Sequence, residues 1–181
     1  MSASSTTLLA LAAVRGFWAV GGSNRLVSLR NDMARSFAVV DVQLRARDPL
    51  LRQWLDALRP LLADSPQFAE AVEAAAPQML AAADAARAHP SAARPMASLK
   101  LAEETLAQAR QRLETELLAR PEPTGPLGAA VLGEEIAAID ATLGFTRRQF
   151  NDASDAYNRA VRQFPTWLLA IVFRFRAAGA L

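Results

Sequence analysis

Apolar side chains recur along this chain at alternating steps of three and four residues. From Leu26 the series runs through Met33, Phe37, Val40, Leu44, Leu51, Trp54 and Leu58, with Arg47 the one residue of the wrong type. That spacing gathers one apolar stripe on one side of an α-helix, as the seam of a bundle requires. Arg30, Asp32, Arg35, Asp41, Arg45 and Arg52 fall between the apolar positions and form a wet face. Pro49 predicts a kink or a division, because it removes a helical N–H and crowds the preceding turn. Asp64-Ser65-Pro66 predicts a new start, a capping residue followed by proline at the first helical position. The second helix then covers about residues 66–88, with Phe68, Val72, Met79, Leu80 and many alanines, and Pro77 predicts a kink in it. A loop over 89–95 leads to a third helix from about Met96 to Ala119, carrying Leu99, Leu106, Leu113 and Leu117 on one side. Residues 120–126 hold three prolines and a glycine and break the chain. The fourth helix, about Leu127 to Gln163, has a regular seam: Leu132, Ile136, Ile139, Leu143, Thr146, Phe150, Ala153, Tyr157, Ala160 and Phe164. Pro165 ends it, and a short apolar stretch follows from Trp167 to Phe173.

Four helical patterns with short breaks predict an all-α fold, an elongated antiparallel four-helix bundle (up-down-up-down) with long coiled-coil-like helices. The chain divides into an N-terminal helix with a membrane-associated reading (1–24), the helical bundle (25–165) and an apolar C-terminal tail (166–181).

Composition sharpens this picture. Hydrophobic residues make up 52% of the 181 positions, and much of that is alanine, the best helix former. Cysteine is absent, which excludes thiol nucleophiles, disulfides and Cys-type zinc sites. The one histidine, His89, falls in a loop and reads as solvated. A net charge of +2 does not argue for nucleic acid. Glu103-Glu104, Glu114, Glu116 and Glu134-Glu135 lack the Glu-x-x-His pairs of a di-iron bundle and read as solvated faces. Gly21-Gly22 lacks the context of a phosphate loop. No catalytic residues, cofactor or metal are therefore expected, and the chain reads as a non-enzyme.

Residues Leu8 to Gly22 are apolar except for Arg15, a run of 15 residues. A membrane span needs about 20, and a central arginine costs roughly 2.5–3.5 kcal/mol on insertion scales. The run reads either as a membrane anchor or as a surface or bundle helix. The stretch from Trp167 to Phe173 is too short to span, but Trp, Phe and the following arginines suit a membrane interface. Phe17, Trp18, Trp167 and Phe173 are the candidate membrane or partner contacts.

Two stretches carry a family resemblance. One is Arg25-Leu26-Val27-Ser28-Leu29-Arg30-Asn31-Asp32, continued by Phe37-Ala38-Val39-Val40-Asp41-Val42-Gln43-Leu44 and the basic Arg45 and Arg47. The other is Phe150-Asn151-Asp152-Ala153, Tyr157-Asn158-Arg159-Ala160 and Phe164-Pro165. Together, in this order and separation, they resemble the LemA family. The resemblance implies a helical bundle, usually tethered by one N-terminal transmembrane helix with its bulk outside the cytoplasm in Gram-negative bacteria. It implies no established enzymatic activity. The chain departs from the family in its interrupted N-terminal run and in Trp167, where the family normally has asparagine.

Asp41, Gln43, Asn151, Asp152, Tyr157 and Asn158 are the candidate interhelical polar residues. They read either as a polar site between the first and last helices or, the favoured expectation, as a set of hydrogen bonds that fixes the register of the two, as a buried Asn does in coiled coils. Two functional readings follow. The first is a non-enzymatic, membrane-associated scaffold or interaction module at the bacterial envelope, periplasmic if anchored and cytoplasmic if the N-terminal segment does not span. The second is a soluble bundle with a protein partner, binding a helix or apolar ligand in a groove near Trp54, Trp167 and Phe173.

Overall fold

The computed structural model describes residues 3–120, 127–164 and 166–181, and of residues 3–20 and 127 the helical backbone alone. The elements are α1 (Ala3–Leu58), a 3-10 turn (Arg59–Leu62), α2 (Gln67–Ala88), α3 (Ala93–Leu118), α4 (Leu127–Arg162) and α5 (Thr166–Val172). No strand occurs among the described residues. At 1.5 Å per residue, α1 with its 56 residues is about 84 Å long.

The apolar stripes pair α1 with α4. Every member of the α1 series from Leu26 to Leu58 is buried. Phe37 meets Phe150 edge to face with ring centroids 5.6 Å apart, worth about 0.5–1.5 kcal/mol beyond the area buried. Further along, Arg47 bonds Asp140 and Trp54 lies against Gly133. Rising numbers on α1 thus meet falling numbers on α4, so the two run antiparallel. Contacts between Arg59 and Glu73 and between Arg45 and Asp84 set α2 antiparallel to α1. The alanines Ala75, Ala76, Ala83 and Ala86 of α2 are buried, which allows close helix approach.

The α2–α3 pair is shorter than α1 and α4, and the main core that it shares with them takes in α1 from Met33 to Leu58 and α4 from Ala129 to Phe150. At the Leu26 end of α1, α5 joins the two long helices. A second, small apolar cluster of Leu26, Ala160 and Leu169 closes that end, with Phe175 packed on it.

Several expectations are corrected. Pro49 does not divide the first helix. Pro49 and Pro77 are both exposed, so each ring faces water. Ser65 does not cap α2. Its hydroxyl instead accepts from Arg120 at 2.7 Å and donates to Glu116 at 3.3 Å, tying the start of α2 to the end of α3. The α4 seam stops before Phe164, which is 74% exposed because the helix ends at Arg162. The segment after Pro165 contains a fifth helix.

Candidate functional site

Three features stand out: a buried ion cluster, a cradle for the C-terminal segment, and an apolar end. The ion cluster sits where α1, α3 and α4 meet. Arg47, the wrong-type residue of the α1 stripe, is 6% exposed and donates to Asp140 at 2.8 Å. Arg110 donates to the other Asp140 oxygen at 2.6 Å. Arg147 bonds Glu103, and Arg47 is 3.9 Å from the same carboxylate. Burial pushes Asp140 up, but the bonds from Arg110 and Arg47 outweigh it and hold the carboxyl below its ordinary value. Burial dominates at Glu103, which is raised despite Arg147 and Arg47. Glu103 is therefore not part of a solvated face, as the sequence suggested; it is buried. A cavity of about 250 Å³ lies beside this cluster, with Leu181 at its edge. The carboxylates are used up neutralising arginines, and among the described residues no three His, Cys, Asp or Glu groups gather as a metal site.

The cradle is built on one face of α4. Asn158 donates from Nδ2 to the Ala178 carbonyl at 3.1 Å and accepts from the Ala178 N–H at 2.7 Å. Asn151 treats Leu181 the same way, at 2.7 and 2.8 Å. Between them, Ser154 donates to the Gly179 carbonyl at 2.8 Å. Each asparagine thus offers the donor and acceptor of a neighbouring strand. The registers agree: seven helical residues from 151 to 158 rise about 10.5 Å, and three extended residues from 178 to 181 span about 10 Å. On the far side the segment touches α3. A Cβ added at Gly179 would stand 2.9 Å from Ala93 Cα and from Met96 Cβ, so only glycine allows this approach.

The end of α5 aims the segment into the cradle. Phe175 N–H bonds the Ala170 carbonyl at 2.8 Å and Arg174 N–H bonds Ile171 at 3.3 Å. With Arg174 at φ 56°, this is a Schellman stop with arginine where glycine is usual. The chain reverses there and runs back along α4.

The other sequence candidates lie elsewhere. Asp41 accepts from Arg45 at 3.1 Å on both oxygens and is 3.9 Å from Arg87 of α2, so it faces α2, not Asn151. Gln43 is half-buried and Asp152 exposed, and neither makes the expected bond to the opposite helix among the described residues. Tyr157 is buried, and burial raises its phenol. Trp54 is buried against α4 near Gly133, whereas Trp167 belongs to α5, which packs at Gly22 and Leu26. Leu26 and Trp54 are about 42 Å apart along α1, so no groove joins Trp54 to Trp167 and Phe173. The side chains of Phe17 and Trp18 lie outside the described residues.

At that α5 end, large apolar side chains face outward. Ile171 is 65%, Val172 72% and Phe173 57% exposed, beside Phe164, Trp167 and Leu168. An open groove of about 460 Å³ runs past Val161, Arg162, Trp167 and Phe175.

The LemA family model matches residues 36–180, from the middle of α1 through the cradled segment. The chain belongs to the LemA family. Among curated proteins no match is found. The LemA match takes in α5 and the C-terminal segment as well as the long helices. No helix among the described residues is long and apolar enough to cross a membrane.

Proposed function

We propose that this LemA-family chain is a non-enzymatic interaction module that sits with its α5 end against an anionic membrane surface of the bacterial envelope. The observation that carries the reading is the outward-facing apolar surface of α5 and its flanks, which includes Phe164, Ile171, Val172 and Phe173. Contiguous exposed apolar surface of this kind marks a docking or membrane face. The exposed Arg162, Arg174 and Arg176 flank it and suit acidic headgroups. The backbone of α1 continues beyond Gly22 from the same end, carrying the apolar sequence Leu8 to Val20. An elongated antiparallel four-helix frame would hold the rest of the molecule away from that surface. A non-enzymatic role is supported by the ion cluster, whose carboxylates Asp140 and Glu103 are each bonded to arginines.

Co-sedimentation of the full chain with phosphatidylglycerol vesicles tests this, with phosphatidylcholine vesicles as the neutral arm. Binding to the anionic vesicles is expected, and Phe164→Ser, Ile171→Ser and Phe173→Ser combined should weaken it at least tenfold. No binding of the folded full chain to anionic vesicles would remove the membrane reading. Retention of a single protein partner by that same surface would favour a soluble partner-binding bundle.

A further inference from the structure

We propose that the groove between α3 and α4 is a peptide-binding site, that the chain's own C-terminal segment is its resident occupant, and that it takes in trans an extended segment of another protein. The chemistry of that partner is set by what the groove reads. Asn151 and Asn158 each pair with both main-chain groups of one residue, and Ser154 takes the carbonyl between. Recognition is thus of backbone, in the manner of strand addition. Side-chain size is read by Ala93 and Met96, which admit only glycine at the position of Gly179. An aliphatic residue belongs at the position of Leu181, beside the cavity at the ion cluster. The partner segment is therefore small-Gly-small-aliphatic, as in Ala178-Gly179-Ala180-Leu181.

Two observations mark the resident segment as displaceable. It is neither helix nor strand, so no cooperative backbone ladder holds it. Its main-chain bonds among the described residues go to side chains of α4 alone. The groove is separate from the apolar surface of α5, and the two readings fail separately.

The test uses the full chain carrying Gly179→Val, whose added methyls collide with α3 and expel the resident segment. The probe is a fluorophore-labelled, C-terminally amidated peptide Phe-Arg-Ala-Ala-Gly-Ala-Leu, read by anisotropy. The variant should bind it at least tenfold more tightly than the unaltered chain, whose own segment competes. Adding Asn151→Ala and Asn158→Ala should reduce binding at least tenfold, as should valine in place of glycine in the peptide. Ala178→Pro, which deletes the N–H that Asn158 accepts, is the second variant should Gly179→Val lose its helical circular dichroism. A folded variant that does not bind the peptide, or binds it regardless of the asparagines, overturns the site and leaves the segment a fixed strap. A dimer of the unaltered chain in sedimentation that Gly179→Val abolishes would reassign the occupant to a second copy and overturn a foreign partner.

Discussion

The same apolar stripe runs through two unlike halves of α1. In the lower half, Leu44, Leu51 and Leu58 are buried under α4 and the α2–α3 pair. In the upper half, Leu26 is as fully buried, but Ala160 of α4 and Leu169 of α5 provide the cover. The lower half buries charges and matches them, as at Arg47 and Asp140. The upper half instead leaves apolar side chains outside and spends amide groups on main chain. Equal burial therefore does not mean equal role. Where long helices supply the cover, the stripe is core; where a short helix completes it, the surroundings are suited to exchange.

The largest expected effect lies in the lower half. Leu106 of α3 is 1% exposed within the main core. Leu106→Ala should cost about 2–5 kcal/mol in urea unfolding, the transfer and cavity cost of a truncated core leucine. A loss under 1 kcal/mol would show that the α2–α3 pair is a loosely held cover and erase the contrast between the halves.

The ion cluster gives the next effect and a pH signature. Asp140 accepts one charge-assisted bond from each of two arginines, and each such bond is worth about 1.5–3 kcal/mol. Asp140→Asn should therefore cost about 2–3 kcal/mol at neutral pH. The folded-state carboxyl titrates below its ordinary 3.8, so its stabilisation is present above that value and lost as pH falls through the lower folded one. Glu103 is raised above 4.5 and has the opposite sign. Its charge opposes folding above the raised value, and that cost fades as pH falls through it toward 4.5. Thermal unfolding from pH 7 to 3 should show a gain first and a loss below about 3.8. Asp140→Asn should keep the gain and shed that part of the loss. An unchanged acid limb would mean that Asp140 is not what fails there.

A smaller effect is expected at the cradle. Asn158→Ala removes two bonds to Ala178, each worth about 0.5–1.5 kcal/mol net. Hydrogen exchange should show the Ala178 and Leu181 amides losing protection, with little change at Leu106. Equal loss at both places would bind the segment into the global fold and count against displacement.

How far the sequence discloses all this differs by feature. The stripes of α1 and α4 were legible because burial on a helix repeats every three or four residues, and their pairing followed from the family-like residues at both ends. The ion cluster was half-legible: Arg47 broke the stripe, and a buried arginine needs a carboxylate, but which one depends on α3 and α4 meeting there. The cradle was not legible. Asn151 and Asn158 stand beside the seam residues Phe150 and Tyr157 and read as register bonds to α1, and nothing in the sequence singles out Ser154. Their partners lie 20 to 30 residues later, in a segment with no periodicity. Gly179 in an alanine-rich stretch was the available sign, since only its close approach to Ala93 explains it. Trp54 and Trp167 were grouped by residue type, although the length of α1 separates them.

The smallest prediction tests whether the two halves unfold together. Gly144 lies in the lower half and Gly21 in the upper, both inside helices, and a Cβ at either would meet nothing within 4 Å. Without clash or new contact, Gly→Ala gains only helix propensity, about 0.5–1 kcal/mol at each site. The gain appears in global unfolding only if the residue melts with the core. Gly144→Ala should therefore raise the urea midpoint by its full share. Gly21→Ala should leave it nearly unmoved, because an end held by two helices and a short cap opens below the global transition. Equal gains would make the molecule one cooperative unit, and the upper half would then be as fixed as the lower.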